Sequence, residues 1–344
     1  MRAKRLRGPA ARGKLGPMTS AMTSAAPRTC WVVSEGMPGT ENPCIALAEA
    51  LGAAPAVKRI QVRAPWRWLP PELWPNPLAA LSGEGDTLAA PYPDVVIGSG
   101  RKAAAPMAAV KRASPRTFTV FVQDPRMPLD HFDAVVAPNH DGLTGDNVVT
   151  TTGALSRVTR GRLAQAREDF RATLEPLPAP RIAVLVGGKS HAYDLSTTRA
   201  NKLGSDVADI CGPHGGSALV TTSRRTPDRA AGALRAALTA TPAMIWQPGH
   251  EPAPNPYLGF LAWADHVLVT ADSVSMLSDA ASTGAPVHIV PMDGTRAKLE
   301  RVHRELVDLG IARHFDGTLA AWSPTPLAEA ERVADILLGW MAGA

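Results

Sequence analysis

Three short runs of this 344-residue sequence offer glycines, hydroxyls or cations in a way that suits an anion. The first follows an apolar stretch and reads Gly187-Gly188-Lys189-Ser190. A glycine turn between a strand and a helix can offer free amides, and a lysine adds charge, so the run suits a phosphate. A phosphate-cradling G-x-x-x-x-G-K-[ST] loop would need glycine where Ala183 stands, so that motif is not met, and a plain strand-to-helix turn fits the same residues. The second run places Ser223, Arg224, Arg225 and Thr226 after another apolar stretch, with Pro227 where a helix would begin. Guanidinium groups there either fork onto the oxygens of a diphosphate or face solvent. The third run carries Asp272, Ser273 and Ser275 into a helix N-terminus, where amides and macrodipole favour phosphate. Asp272 or Ser273 can equally be an N-cap. Asp279, further along the same helix, is placed either to accept two ribose hydroxyls or to sit as a solvated charge.

A proton-transfer group is expected nearer the N-terminus. Residues 34–42, Ser-Glu-Gly-Met-Pro-Gly-Thr-Glu-Asn, form a strand-to-helix loop in which Glu41 is the candidate general base, or else a first-turn helix acid. Gly39 in that loop and Arg101, in Gly98-Ser99-Gly100-Arg101, are the expected acceptor side. Gln123-Asp124-Pro125-Arg126 stands at another strand end. An insert over residues 63–81 holds Trp66, Trp68 and Trp74 with Arg63 and Arg67. Tryptophan with arginine suits a lipid interface or a partner surface, and a lid packed on its own domain is the alternative.

These loops need a frame. Short apolar runs rich in branched residues alternate with Ala/Leu-rich stretches: strands are expected over 29–33, 57–62, 94–97, 117–122 and 132–137, then over 182–186, 217–222, 243–246, 266–270 and 287–291. Continuous apolar strands alternating with helices imply parallel sheets covered on both faces. The expected fold class is therefore α/β, with two facing doubly wound, Rossmann-like domains over 29–175 and 181–325. A proline-rich linker at 175–180 joins them, and a last helix lies in 326–344. Ligands of such sheets sit outside the carboxyl ends of the strands, which gathers the runs above around one cleft.

The composition narrows the rest. The net charge is +5, but six cations and no acid lie in the first 17 residues, so the remainder stands at −1. The segment 1–28 reads as a disordered basic tail, and no nucleic-acid partner is expected. No apolar run is long enough for a membrane-spanning helix. Three cysteines without Cys-x-x-Cys spacing suit a reducing cytoplasm, at most peripheral on the inner face of a membrane. No metal motif, serine elbow or dinucleotide glycine fingerprint occurs, and neither metal nor cofactor is expected.

Residues 31–42, 187–190, 221–227 and 270–278 together resemble bacterial homologues of the plant elongated-mitochondria fission protein family, from residue 30 to about 340. The resemblance implies a link to the mitochondrial outer surface and to a dynamin-related partner for the plant member. Residues 257–292 are also similar to the donor-binding part of two-domain GT-B glycosyltransferases, especially the one that adds N-acetylglucosamine to the lipid-linked peptidoglycan precursor. That similarity implies a GT-B-like fold, a nucleotide-diphosphate sugar as substrate and a lipid-linked or membrane-surface acceptor. Asp279 stands where that family has a ribose-binding glutamate. Thr40, with Glu41 beside it, stands where it has a catalytic histidine. The expected function is thus a metal-independent glycosyltransferase; a non-catalytic membrane-surface scaffold and a nucleotide-sugar epimerase are the alternatives.

Overall fold

The computed structural model describes residues 28–190, 192–250 and 254–343. All but the last residue of the expected basic tail lies outside the described residues. The first sheet contains β1 (Cys30–Ser34), β2 (Ala56–Arg59), β3 (Val95–Ser99), β4 (Phe118–Val122), β5 (Ala134–Pro138) and β6 (Val148–Thr151), all parallel in the order β2-β1-β3-β4-β5-β6. Helices α1 (Pro38–Ala50) and α2 (Arg101–Ala113) follow β1 and β3. Val32, Val96, Ile97 and Phe121 are fully buried, as expected where helices and loops cover both faces of a parallel sheet.

The chain then forms α3 (Arg160–Asp169) and α4 (Arg171–Leu174) and enters the second sheet. Its elements are β7 (Arg181–Val186), the short β8 (Tyr193–Asp194), α5 (Thr197–His214), β9 (Ser217–Thr222), α6 (Asp228–Ala237), β10 (Ala243–Trp246), α7 (Tyr257–Trp263), β11 (His266–Thr270), α8 (Val274–Ala281), β12 (Val287–Val290), β13 (Asp293–Gly294), α9 (Ala297–Asp308), β14 (Ala312–His314) and α10 (Glu329–Gly343). Six strands run parallel in the order β10-β9-β7-β11-β12-β14, and β13 pairs with β8 antiparallel. Two doubly wound sheets face each other, as the apolar runs imply.

The crossing between the units comes earlier than the proline run suggests. Helix α3 packs on α7: Arg167 stacks 4.1 Å from the Trp263 ring, and the Trp263 indole donates to the Arg167 carbonyl at 3.0 Å. Leu174 and Leu177 share a core cluster with Leu219, Phe260 and Trp263 of the second unit. The proline run therefore lies within the second unit, and the chain crosses over residues 152–159. At the far end, α10 returns to the first unit, where Ala330, Val333, Ala334 and Leu337 pack among Cys44, Leu47, Leu51 and Leu155. The two units are thus tied at two places in the sequence.

Candidate functional site

The carboxyl ends of both sheets line a shared cleft of about 610 Å³. Gly39, Gly100, Arg101, Gln123, Asp124, Arg126, His140 and Asp141 come from the first unit. Val274, Ser275, Arg296, Lys298 and Arg301 face them from the second. A neighbouring cavity of about 470 Å³ shares Gly39 and Ser275 and adds Asn42, Arg157, Phe170, Asn255, Tyr257 and Asp279. Of the residues expected from sequence, Gly39, Arg101, Ser275 and Asp279 meet here.

Cations dominate the larger cavity. Arg126 pairs with Asp124 at 3.0 Å, and Lys298 with Asp141 at 2.5 Å. Arg301 donates to the His140 carbonyl at 2.9 Å. Arg101 and Arg296 have no carboxylate partner among the described residues. Helix α8 starts at this wall with Ser273 as N-cap, its hydroxyl accepting from the Met276 amide at 3.3 Å. The amides of Val274 and Ser275 have no partner within the helix, since the first turn of any helix lacks one.

Several expected site residues have other work. The Glu41 carboxylate is buried under a forked ion pair: Arg59 donates from Nε and Nη2, each at 2.9 Å, and the Ser34 hydroxyl donates at 2.8 Å. The Arg59 hydrogen bonds, outweighing burial and aided by Ser34, hold its carboxyl below the usual range. A carboxylate held in this way is a weak base, and Glu41 lines neither cavity; the contacts it makes here are structural ones.

The glycine turn is closed in the same way. The Gly187 amide donates to Thr270 Oγ1 at 2.7 Å and the Gly188 amide to Asp272 Oδ2 at 3.0 Å. The amides of Lys189 and Ser190 donate to the carbonyls of Arg225 and Tyr193. None is left for a phosphate. A Cβ on Gly187 would lie 2.0 Å from the Asp272 carboxylate, and one on Gly188 would lie 2.1 Å from the Arg225 carbonyl, so tight packing alone requires both glycines. Arg225 pairs with Asp272 at 2.7 Å. Ser223 accepts from the Arg225 amide, while Thr226 accepts from the Ser223 amide and donates to the Gly187 carbonyl. This loop is a bonded turn: Gly187, Gly188, Ser223, Arg225, Thr226 and Asp272, expected around a diphosphate, are engaged with groups of the protein itself. Lys189, Ser190 and Arg224 are exposed and line neither cavity.

Asp279 lines the smaller cavity, but both its oxygens are engaged. Ser156 Oγ donates at 2.5 Å and the Tyr257 hydroxyl at 2.9 Å. Burial raises its pKa against those two hydrogen bonds. Ser278 next to it accepts from the Ala154 amide at 2.8 Å, so this turn of α8 holds the crossing segment.

The tryptophan insert divides. Trp74 is buried with Ala80 and Ala105, and Trp66 packs against that cluster. Trp68 is 67% exposed, with Arg67 stacked 4.5 Å from its ring, and Leu69 and Leu73 are exposed beside it.

Sequence reasoning missed His140, Asp141, Arg296, Lys298 and Arg301. Asn139-His140-Asp141 is a polar triple at the carboxyl end of β5, the signal that drew attention to the other loops. Lys298, Arg301 and Glu305 recur at helical spacing on α9, opposite buried Leu299, Val302 and Leu306. The His140 side chain is 4% exposed, its Nδ1 has no hydrogen-bond partner among the described residues, and burial lowers its pKa despite Asp141 at 3.6 Å.

The sequence pattern of Mitochondrial fission ELM1 matches residues 38–341. The chain belongs to the mitochondrial fission ELM1 family. It is 32% identical over 270 residues to mitochondrial fission protein ELM1 of Arabidopsis thaliana, covering 70% of this chain and 62% of the plant protein. It thus spans less than two thirds of that relative. An uncharacterized protein of Rickettsia prowazekii is 28% identical over 280 residues, covering 71% of this chain and 79% of that one. Among solved structures, UDP-GlcNAc 2-epimerase from Methanocaldococcus jannaschii superposes with a TM-score of 0.54 at 14% identity, over 90% of this chain and 99% of that one. The same enzyme in complex with UDP-GlcNAc and UDP gives 0.50 at 15% identity, with the same coverage. At such identity the likeness is one of fold: this ELM1-family chain has the GT-B-like arrangement of two facing Rossmann-like domains.

Proposed function

We propose that the cleft binds a nucleotide-diphosphate sugar and transfers its glycosyl group to an acceptor hydroxyl without a metal. The observation that carries this reading is the larger cavity. Arg101, Arg296 and Arg301 line it without carboxylate partners among the described residues, and the unpartnered first-turn amides of α8 open onto it. Fixed cations and amides aimed at a departing diphosphate stabilise its charge without reorganising, which is what a metal would otherwise do. In the transfer the acceptor oxygen bonds to the anomeric carbon. The bond to the diphosphate oxygen breaks with its electron pair, and the acceptor's proton passes to water in the open cleft. The likeness in fold to an enzyme solved with UDP-GlcNAc and UDP supports the reading.

Titration calorimetry and thermal shift with UDP, GDP and ADP test it. At a hundredfold excess over the dissociation constant, binding should stabilise the fold by about 2.7 kcal/mol. Arg296→Ala should remove most of that gain, while Glu41→Gln leaves binding unchanged. No stabilisation by any diphosphate at millimolar concentration overturns the reading, and UDP release from UDP-GlcNAc without an acceptor moves it to epimerase chemistry.

A second reading, a membrane-surface scaffold, is favoured by one patch. Trp68, Leu69 and Leu73 are exposed beside Arg67, the combination that inserts into anionic lipid interfaces. Flotation with anionic vesicles should weaken severalfold in Trp68→Ser. Trp74→Ser, by contrast, should act through stability, because that ring is buried. Unchanged flotation of Trp68→Ser refutes the patch.

A further inference from the structure

We infer that Asp272 decides where a phosphate can bind in this chain: its carboxylate fills, as an internal anion, a cradle at the switch point of the second sheet, and so keeps a ligand's diphosphate out on the cleft wall. The position of the diphosphate rests on the donor reading above; the filled cradle does not.

The strand order locates the crevice. From β7 the chain winds outward through β9 to β10, then returns to the other side of β7 for β11 and winds out through β12 to β14. Where the winding reverses, the turns after the two central strands, here β7 and β11, diverge and leave a crevice at the carboxyl ends of the sheet. Asp272 stands in it, between β11 and α8, two residues before Val274 of the larger cavity.

The groups around this carboxylate are those that hold a phosphate. The Gly188 amide donates at 3.0 Å, the Thr270 hydroxyl at 2.7 Å and the Arg225 guanidinium at 2.7 Å. They come from the ends of three neighbouring strands, β7, β11 and β9. An amide, a hydroxyl and a guanidinium converging on one point form an anion site, whichever anion occupies it. Gly187 allows the carboxylate the close approach that a phosphate would need, since a Cβ there would collide with it. The Asp272 side chain has no solvent exposure, and a carboxylate is tolerated at such depth only where donors replace its water. Arg225, by contrast, is 43% exposed, so the crevice reaches solvent along its guanidinium. The same donors cannot serve two anions. While Asp272 holds them, a diphosphate is left with Arg296, Arg301 and the first-turn amides of α8.

Removing the carboxylate while keeping its donors tests this. Asp272→Ala and the wild type are unfolded thermally in phosphate and in chloride at equal ionic strength, the wild type reporting the general effect of phosphate salt on a folded chain. Phosphate should raise the Tm of the variant by a few degrees more than that of the wild type, and Arg225→Ala in the same background should abolish the difference. Asp272→Ser leaves a hydroxyl for the stranded amide and carries the same test if the alanine variant is too unstable. An equal response of variant and wild type overturns the inference, as does a gain indifferent to Arg225. Failure of both variants to fold in phosphate also overturns it, because phosphate should take the vacated place. Calorimetry with UDP reads the position of the diphosphate: the serine variant should bind about tenfold tighter than the wild type, and only the variant's binding should depend on Arg225. UDP binding by the wild type without phosphate rescue of the variants refutes the filled cradle and leaves the donor reading intact. Arg225-dependent rescue without UDP binding by the wild type supports the cradle and removes the donor reading.

Discussion

Replacing Asp272 by alanine will destabilise the protein by about 3 kcal/mol, because a buried carboxylate that serves several donors cannot be removed without stranding them. Its side chain has no solvent exposure. It accepts from the Gly188 amide at 3.0 Å, from the Thr270 hydroxyl at 2.7 Å and from Arg225 at 2.7 Å. After the substitution the Gly188 amide stays buried with no acceptor, and Thr270 loses the partner that orients it toward the Gly187 amide. The turn after β7 and the turn after β9 are held to the end of β11 by this one group, so the loss is shared by three strand ends. Arg225→Ala should be much milder, about 1 kcal/mol or less, because that side chain is 43% exposed and water can replace it. Urea denaturation reads both. The pair also separates structure from binding: Arg225→Ala should retain diphosphate affinity, whereas an arginine on the diphosphate would lose it. A cost for Asp272→Ala below that for Arg225→Ala would contradict the assignment.

Stability should also fall steeply in mild acid, through a histidine. His288 is buried on β12, with its ring centroid 5.6 Å from that of His266 and against Phe315 and Trp322. Its Nε2 and the His266 Nδ1 have no hydrogen-bond partner among the described residues. Burial, followed by repulsion from His266 and Arg313, pushes the His288 pKa down to about 4, and burial lowers that of His266 as well. A histidine whose folded pKa lies below the unfolded value of about 6.5 makes the unfolded state bind the extra proton first. Its contribution is complete above pH ~6.5 and is lost as the pH falls toward ~4, by about 3 kcal/mol in total for His288 alone. His288→Leu removes that ionisation while keeping an apolar group among the aromatic rings. The variant's urea midpoint should decline much less than that of the wild type between pH 7 and pH 4.5, with a residual slope from His266. Parallel curves for the two proteins would show that His288 does not carry the acid sensitivity.

The parts of this molecule that could be read in advance are those where local pattern and burial agree. Val95-Val96-Ile97 and the run from Ile182 to Val186 are apolar at every position because sheets covered on both faces leave no wet side, and that pattern needs no partner to be recognised. The strand-end loops followed from the same logic, and with them Gly39, Arg101, Ser275 and Asp279. Helix α3 was missed because its sequence, Arg-Gly-Arg-Leu-Ala-Gln-Ala-Arg-Glu-Asp, has no apolar stripe; it docks through an arginine stem on Trp263. Strands β6 and β14, with four and three residues, are too short to carry a period.

The roles of charged groups were settled at a distance the sequence does not display. Glu41 reads as a free acid at a helix start until Arg59, from the neighbouring strand, closes on it. Gly187-Gly188-Lys189 reads as an anion turn until the Asp272 carboxylate, 84 residues on from Gly188, takes its amide. Sequence alone determined two parallel sheets, their winding and the rim on which chemistry could occur, because backbone pairing and apolar burial repeat locally. Tertiary structure decided which charges on that rim are spent on one another and which stay without a carboxylate partner among the described residues. An ion pair depends on distances of about 3 Å between residues from different elements, and only the packed fold sets those distances.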